Sequence, residues 1–218
     1  MDPANRIIAV GDIHGCATAL ESILEQIQPT HADTVVTLGD YVNRGPNTKK
    51  VIDLLRALRT KCNLVPLIGN HDEVLLDVIA GRTDKDLALR FGGQATLDSY
   101  NATRFEEIPS EDADFLRTCT PSFETEQHFF VHAGYEPNQR LVETSWNTLV
   151  WKPLEPPYPL PHFSGKCAVV GHTSQRGGDI LDLGHITCID TACCYGGVLT
   201  ALDVTTGQLW QAAEPSLS

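Results

Sequence analysis

Basic side chains are scarce in this chain: 16 Lys and Arg stand against 28 Asp and Glu, a net charge of −12 over 218 residues. That balance argues against a protein whose main task is to grip nucleic acid or an anionic membrane, since both need a basic face. No stretch approaches the roughly 18 consecutive apolar residues of a membrane span. The first residues, MDPANRIIAV, lack the charged start and apolar core of a secretory signal, so a cytoplasmic location is expected. There is no CxxC pair, and the seven cysteines are odd in number and scattered. They suit reduced core thiols better than a disulfide framework, and the adjacent Cys193 and Cys194 cannot easily chelate one metal. Internal repeats and low-complexity tails are also missing. What is present is a 42% hydrophobic, 20% charged composition, large enough to bury one sizeable core.

The first half alternates strand-like and helix-like segments. RIIAV (6–10), TVVTL (34–38) and NLVPLI (63–68) read as buried strands. ATALESILEQI (17–27), TKKVIDLLRALR (48–59) and DEVLLDVIA (72–80) read as helices, the first with apolar residues at Leu20, Ile23, Leu24 and Ile27. Such alternation predicts a parallel sheet with right-handed crossovers. Residues 82–120 read as short helical pieces, a cap inserted over the sheet. The second half reads as strands at 123–126, 128–134, 167–173, 179–184, 186–190, 198–204 and 208–213. EPPYPLPHFSG (155–165) must be an extended loop. A single domain over 1–218 is expected, α/β first and mainly β afterwards.

The strand ends carry the chemistry. RIIAV runs into Gly11-Asp12-Ile13-His14-Gly15, TVVTL into Gly39-Asp40-Tyr41-Val42-Asn43-Arg44-Gly45, and NLVPLI into Gly69-Asn70-His71-Asp72. HFFV runs into His132-Ala133-Gly134, and CAVV into Gly171-His172-Thr173. Ligands bind at the carboxyl ends of strands in open α/β sheets, and glycine there lets polar atoms converge. Oxygen donors with imidazoles suit Mn, Fe or Zn better than Ca or Mg alone. Six donors exceed the need of one tetrahedral zinc. Two ions about 3.5–4 Å apart, sharing a carboxylate, would use them for hydroxide attack on a phosphate, and Arg44 would supply a fork for phosphate oxygens.

GDIHG, GDYVNRG, GNHD, HAG and GHT, in that order over residues 11–173, resemble the signature of the calcineurin-like metallophosphoesterases. More narrowly they resemble the PPP-type serine/threonine phosphatases of bacteria and phages. The resemblance implies an α/β fold of two mixed β-sheets packed as a sandwich, flanked by helices, with a small helical cap. It implies that Asp12 and His14 bind a first metal, that Asp40 bridges, and that Asn70, His132 and His172 bind a second. His71 matches the histidine that protonates the leaving group, with Asn43 beside it. Arg44 is the first phosphate-binding residue, with Asn70 also facing substrate. Two divalent ions are expected, manganese first, with iron or zinc as alternatives.

Two departures stand out. Asn43 occupies a position where the family has an aspartate that favours the protonated form of the catalytic histidine, which predicts a lower pKa and weaker acid catalysis at His71. Asp72 stands where glutamate is usual, and a local structural role is expected. The second phosphate-binding cation is Lys152 in LVWKP, with Arg176 and Arg140 as rivals. His31, His128, His162 and His185 read as structural or surface groups. The segment FGGQATLDSY (91–100) reads equally as cleft lining or as a plain turn and helix.

The expected function is a metal-dependent phosphoprotein phosphatase, in which a bridging hydroxide attacks phosphoserine or phosphothreonine and His71 acts as general acid. The expected partners are a phosphorylated protein or a small phosphoester, with no nucleic acid or membrane. The alternative is symmetrical hydrolysis of diadenosine tetraphosphate and related dinucleotides. The short list of basic residues leans towards the monoesterase, since a dinucleotide site wants stacking groups and more cations near the metals. A third reading, a metal-binding module without catalysis that binds phosphoproteins, rests on Asn43 alone.

Overall fold

The computed structural model describes residues 5–215. Two five-stranded mixed sheets lie face to face with helices outside, as the resemblance implies. In the first sheet the order is β10-β9-β1-β2-β3, with β1 (Ile7–Val10), β2 (Thr34–Thr37) and β3 (Asn63–Pro66) parallel. The crossovers between them are α1 (Ala17–Ile27) and α2 (Thr48–Leu58), and α3 (Asn70–Ile79) follows β3. Apolar residues at helical spacing in α1, Leu20, Ile23 and Ile27, are buried against this sheet. α3 starts at Asn70, two residues before the run that its pattern marks out, so Asn70 and His71 lie in its first turn.

The segment after α3 is helical: α4 (Lys85–Arg90), α5 (Gly93–Tyr100) and α6 (Ser110–Arg117). The second sheet has the order β4-β5-β6-β8-β7, from β4 (Ser122–Glu124), β5 (His128–Val131), β6 (Cys167–Val170), β7 (Leu181–Asp182) and β8 (Ile186–Cys188). A short helix, α7 (Trp146–Val150), precedes the proline-rich loop. β9 (Leu199–Asp203) and β10 (Leu209–Ala212) return to the first sheet, β9 antiparallel to β1. Among the described residues, no helix is long and apolar enough to cross a membrane.

Strand alternation sorts the side chains into layers. Ile8, Val10 and Val35 join the core under the helices, whereas Ala9, Val36, Leu38 and Leu67 face the second sheet. There they meet Phe130, Val169 and Ile189, and Phe129 and Val131 point to the opposite side of that sheet. This inter-sheet layer fixes how the carboxyl ends of β1, β2 and β3 stand relative to those of β5 and β6. We expect Phe130→Ala, which opens a cavity in that layer, to cost about 3–5 kcal/mol. Urea unfolding of the metal-free protein reads this as a lower midpoint with an unchanged slope.

Candidate metal centre

The ends of β1, β2 and β6 are turned sharply by unusual backbone. His14, Asp40, Asn43, Arg44 and His172 are all non-glycine residues with positive φ, between 45° and 69°. Such left-handed residues are uncommon and cluster at functional sites when the surrounding fold enforces them. Glycine makes the convergence possible. A Cβ on Gly69 would collide with the Asp40 carboxylate, and one on Gly171 would collide with that of Asp12.

The turns bring two donor sets together, His14 with Asp40 and His71, and Asp40 with His132 and His172. Within each set the ligand atoms lie within 4.8 Å of one another. Asp40 belongs to both. Asn70 reaches the second set, its Oδ1 lying 3.2 Å from His132 Nε2. Asp12 is buried beside them but in neither set, and its carboxylate accepts the backbone N–H of His172 at 3.0 Å. Burial, with Asp190 and Asp40 nearby, pushes the Asp12 carboxyl well above its usual range.

The histidine rings are oriented by backbone carbonyls, which can only accept. Nδ1 of His14 donates to Val42 O at 2.9 Å, Nδ1 of His132 to Leu38 O at 2.7 Å, and Nε2 of His172 to Trp151 O at 3.1 Å. The opposite nitrogens therefore carry lone pairs that point inward. His132 Nε2 and His172 Nδ1 then face each other at 3.2 Å with no proton between them. Asp40 Oδ1 lies 3.5 Å from the same His132 nitrogen, and Asp40 Oδ2 lies 3.3 Å from His14 Nε2. A buried cluster of acceptors with almost no donor fits divalent cations, and the imidazole and carboxylate chemistry suits them.

His71 stands at the edge of this cluster. Its ring packs edge-on against His14 at 4.6 Å and Phe91 at 4.8 Å, and Nε2 lies 4.0 Å from Asp40 Oδ2. Nδ1 meets Asn43 Nδ2 at 3.2 Å, while Asn43 Oδ1 accepts from the Thr96 hydroxyl at 2.9 Å. Burial, more than the opposing pull of Asp40, lowers the His71 pKa to about 3, and burial with His132 lowers that of His172 to about 4. Asp72 carries a structural load: its carboxylate accepts the backbone N–H groups of Asp40, Tyr41 and Gly69 at 2.8, 2.9 and 3.0 Å.

The cations divide. Arg44 points its Nη1 at His14 Nε2, 3.2 Å away, and its guanidinium lies over the Tyr195 ring. Arg176 lies over the same ring. Lys152 is ion-paired with Glu136 at 2.8 Å, and Arg140 makes no ion pair or hydrogen bond to the cluster among the described residues. Four residues at the site escaped the sequence reading of roles: Phe91, Thr96, Trp151 and Tyr195. Only the first two lay in a segment flagged as a cleft lining, and the strand-end pattern that exposed the other donors reaches none of them.

A family model, the calcineurin-like phosphoesterases, matches residues 5–182, and the chain belongs to that family. It is therefore a metallophosphoesterase-type hydrolase whose family implies a binuclear divalent centre. The chain is 31% identical over 137 residues to the symmetrical bis(5'-nucleosyl)-tetraphosphatase of Janthinobacterium sp. (strain Marseille), covering 62% of this chain but 46% of that protein. The enzyme of the same name from Baumannia cicadellinicola is 28% identical over 255 residues, covering 88% of this chain and 87% of its own. A crystal structure described provisionally as a diadenosine tetraphosphatase superposes with a TM-score of 0.76 at 23% identity, covering 99% of this chain and 96% of its own. These curated relatives overturn the phosphoprotein phosphatase expected from sequence and favour its dinucleotide alternative. The expectation failed because the five motifs encode two-metal phosphate chemistry and not the substrate. The basic list also looked short only until folding placed Arg44 and Arg176 against one ring, that of Tyr195.

The buried His71 gives a pH signature in chelated protein. The unfolded chain protonates this ring near pH 6.5, whereas the folded chain does so only near 3, so the unfolded state binds more protons between those values. Folding stability of the wild type relative to His71→Asn should fall by about 1.4 kcal/mol per pH unit as pH drops from 6.5 towards 5. Parallel urea titrations check this, and a pH-independent difference would show that the ring is protonated in the fold.

Proposed function

We propose that this chain is a two-metal hydrolase that cuts dinucleoside polyphosphates symmetrically, releasing two nucleoside diphosphates from a tetraphosphate. The reading is supported by the names of the curated relatives and by the Asp40-centred donor sets. Asp12, His14, Asp40, Asn70, His132 and His172 would hold the ions, with manganese ahead of iron or zinc. When bound, these ions supply Lewis acidity at the phosphate and lower the pKa of an attacking water.

Hydrolysis forms a bond from a water oxygen to one inner phosphorus and breaks the bond from that phosphorus to the central bridging oxygen. The group that departs is a nucleoside diphosphate. Arg44 holds non-bridging oxygens through its guanidinium fork. His71 is kept neutral by burial. With Asn43 Nδ2 donating to Nδ1, its proton sits on Nε2, the nitrogen on the Asp40 side. A neutral imidazole N–H steadies a departing oxygen by a hydrogen bond but is a poor acid.

That limit carries the choice of substrate. A departing phosphate has a pKa of about 6 and needs little protonation, whereas the alkoxide from phosphoserine needs a full proton. The Asn43–His71 contact therefore suits a phosphoanhydride. Free thiols throughout the described chain suit a reducing compartment, and we place the enzyme in the cytoplasm.

Chelated enzyme should leave diadenosine tetraphosphate intact, and Mn²⁺ should restore cleavage with ADP as the sole nucleotide product. AMP together with ATP would mean asymmetric cutting and would sink the reading. Asn43→Asp adds the charge that favours an imidazolium. It should raise kcat on an alkyl phosphate by about tenfold, within the usual range of general acid catalysis, and change dinucleotide turnover by less than about twofold. Equal gains on both substrates would show that departure of the diphosphate also depends on a strong acid.

A further inference from the structure

The turn at Arg176–Gly178 and the loop at Ala192–Val198, with Ala213, line an open groove of about 540 Å³. Arg176, Gly177, Ala192, Tyr195, Gly197 and Val198 are among its lining residues. We propose that this groove is a subsite for one nucleoside diphosphate half of the substrate. The phosphates would lie between Arg44 and Arg176, and the nucleoside on the glycine floor against Val198. The proposal rests on the dinucleotide reading above and says where half of that substrate lies.

Three independent features point there. First, the guanidinium carbons of Arg44 and Arg176 sit 5.1 and 5.0 Å from the centroid of the Tyr195 ring. The arginines ion-paired among the described residues are Arg6, Arg56, Arg82, Arg104 and Arg117. Arg44 and Arg176 are in none of these pairs, so both guanidinium forks are free to take an anion, and a diphosphate brings enough charge for both. Arg44 also touches His14, so the pair marks a path out of the donor cluster.

Second, Tyr195 is 50% exposed, and the backbone that carries it is tightly turned. It closes a 3-10 turn, Cys193–Tyr195, bracketed by Ala192 at φ 60° and Gly196 at φ 85°. A Cβ on Gly197 would collide with Thr191 O. An exposed aromatic that carries guanidinium groups offers a surface on which cationic and planar groups stack. Third, the floor is bare backbone. Cβ atoms built on Gly177, Gly178 and Gly196 meet nothing within 4 Å, so a planar base has room to approach. The volume falls within the range of about 300–1,000 Å³ typical of small-ligand sites. Symmetrical cleavage demands such a place, because a tetraphosphate centred on the metals leaves a nucleoside diphosphate extending to each side.

The test uses the Mn²⁺-loaded full chain, diadenosine tetraphosphate, p-nitrophenyl phosphate and ADP as an inhibitor of p-nitrophenyl phosphate hydrolysis. Arg176→Gln removes one fork. Gly177→Glu sets a negative charge into the groove at a position with space for it. Both variants should raise KM for the dinucleotide by about tenfold, with kcat changed much less. Selectivity over p-nitrophenyl phosphate should fall by the same factor, and ADP inhibition should weaken in step while inorganic phosphate inhibition does not. Unchanged KM and unchanged ADP inhibition in both variants would overturn the subsite. Equal losses on the small ester would overturn it too, placing Arg176 at the reacting phosphate instead. If the wild type hydrolyses the small ester but not the dinucleotide, the proposed function fails. The ADP inhibition of wild type against variants still decides whether the groove binds nucleoside diphosphate.

Discussion

The metal centre hangs on one buried carboxylate. Asp72, fully enclosed in the first turn of α3, accepts hydrogen bonds from the backbone of Asp40, Tyr41 and Gly69. Those three bonds tie the end of β2 to the end of β3 and to the start of α3. They set Asp40 opposite Asn70 and His71, whose backbone N–H in turn bonds Asp40 Oδ1 at 3.0 Å. Burial, with Asp40 nearby, pushes the Asp72 carboxyl well above its usual range, and the three backbone bonds pull the other way. They are needed here because the turn they hold is strained, with Asp40, Asn43 and Arg44 all at positive φ. Remove that anchor and Asp40, both donor sets and the Arg44 fork lose their common reference.

The acceptors gathered there oppose one another. Lone pairs on His14, His132 and His172 and the oxygens of Asp40 and Asn70 converge within hydrogen-bonding range, with the Arg44 guanidinium at the rim. Such an arrangement would be repulsive without cations, and each ring is pinned from behind by a backbone carbonyl of another turn. Leu38 O to His132 is the telling case, since it crosses from the first sheet to the second. The packed layer of Leu38, Leu67 and Phe130 that holds the sheets in register also holds the two halves of the centre together. Cation binding then relieves repulsion already built into the fold, which is why metal affinity and folding stability are linked in such a site.

Much of this was readable in advance. The alternation of apolar residues gave β1 to β3 and α1 to α3 nearly to the residue, because each is a short buried strand or an amphipathic helix with one dominant period. The donors were legible because each follows an apolar run and sits beside glycine. What was not legible came through tertiary contact. Thr96 reaches Asn43, and Phe91 reaches His71, from a segment whose helical period does not distinguish a lining from a plain surface. Tyr195 arrives on a loop whose next strand, β9, returns to the first sheet beside β1, a pairing that local pattern cannot specify. The substrate was misread for the same reason. Motifs record what all two-metal phosphoesterases share, and discrimination lies in residues that only the fold assembles.

Charge shows the same separation of scales. At −12 the chain as a whole repels a polyphosphate, yet screening confines that repulsion to about 8–10 Å at physiological ionic strength. Within that distance the local arrangement decides. Lys152, which the sequence offered as the second phosphate ligand, is neutralised by Glu136, whereas Arg44 and Arg176 keep their charge over Tyr195. A net-charge argument speaks to a long polyanion such as nucleic acid, which samples the whole surface. It does not bear on a substrate short enough to lie between the donor cluster and one pair of guanidiniums. On the proposed reading, Arg44 and Arg176, neither of them ion-paired among the described residues, would supply the local attraction.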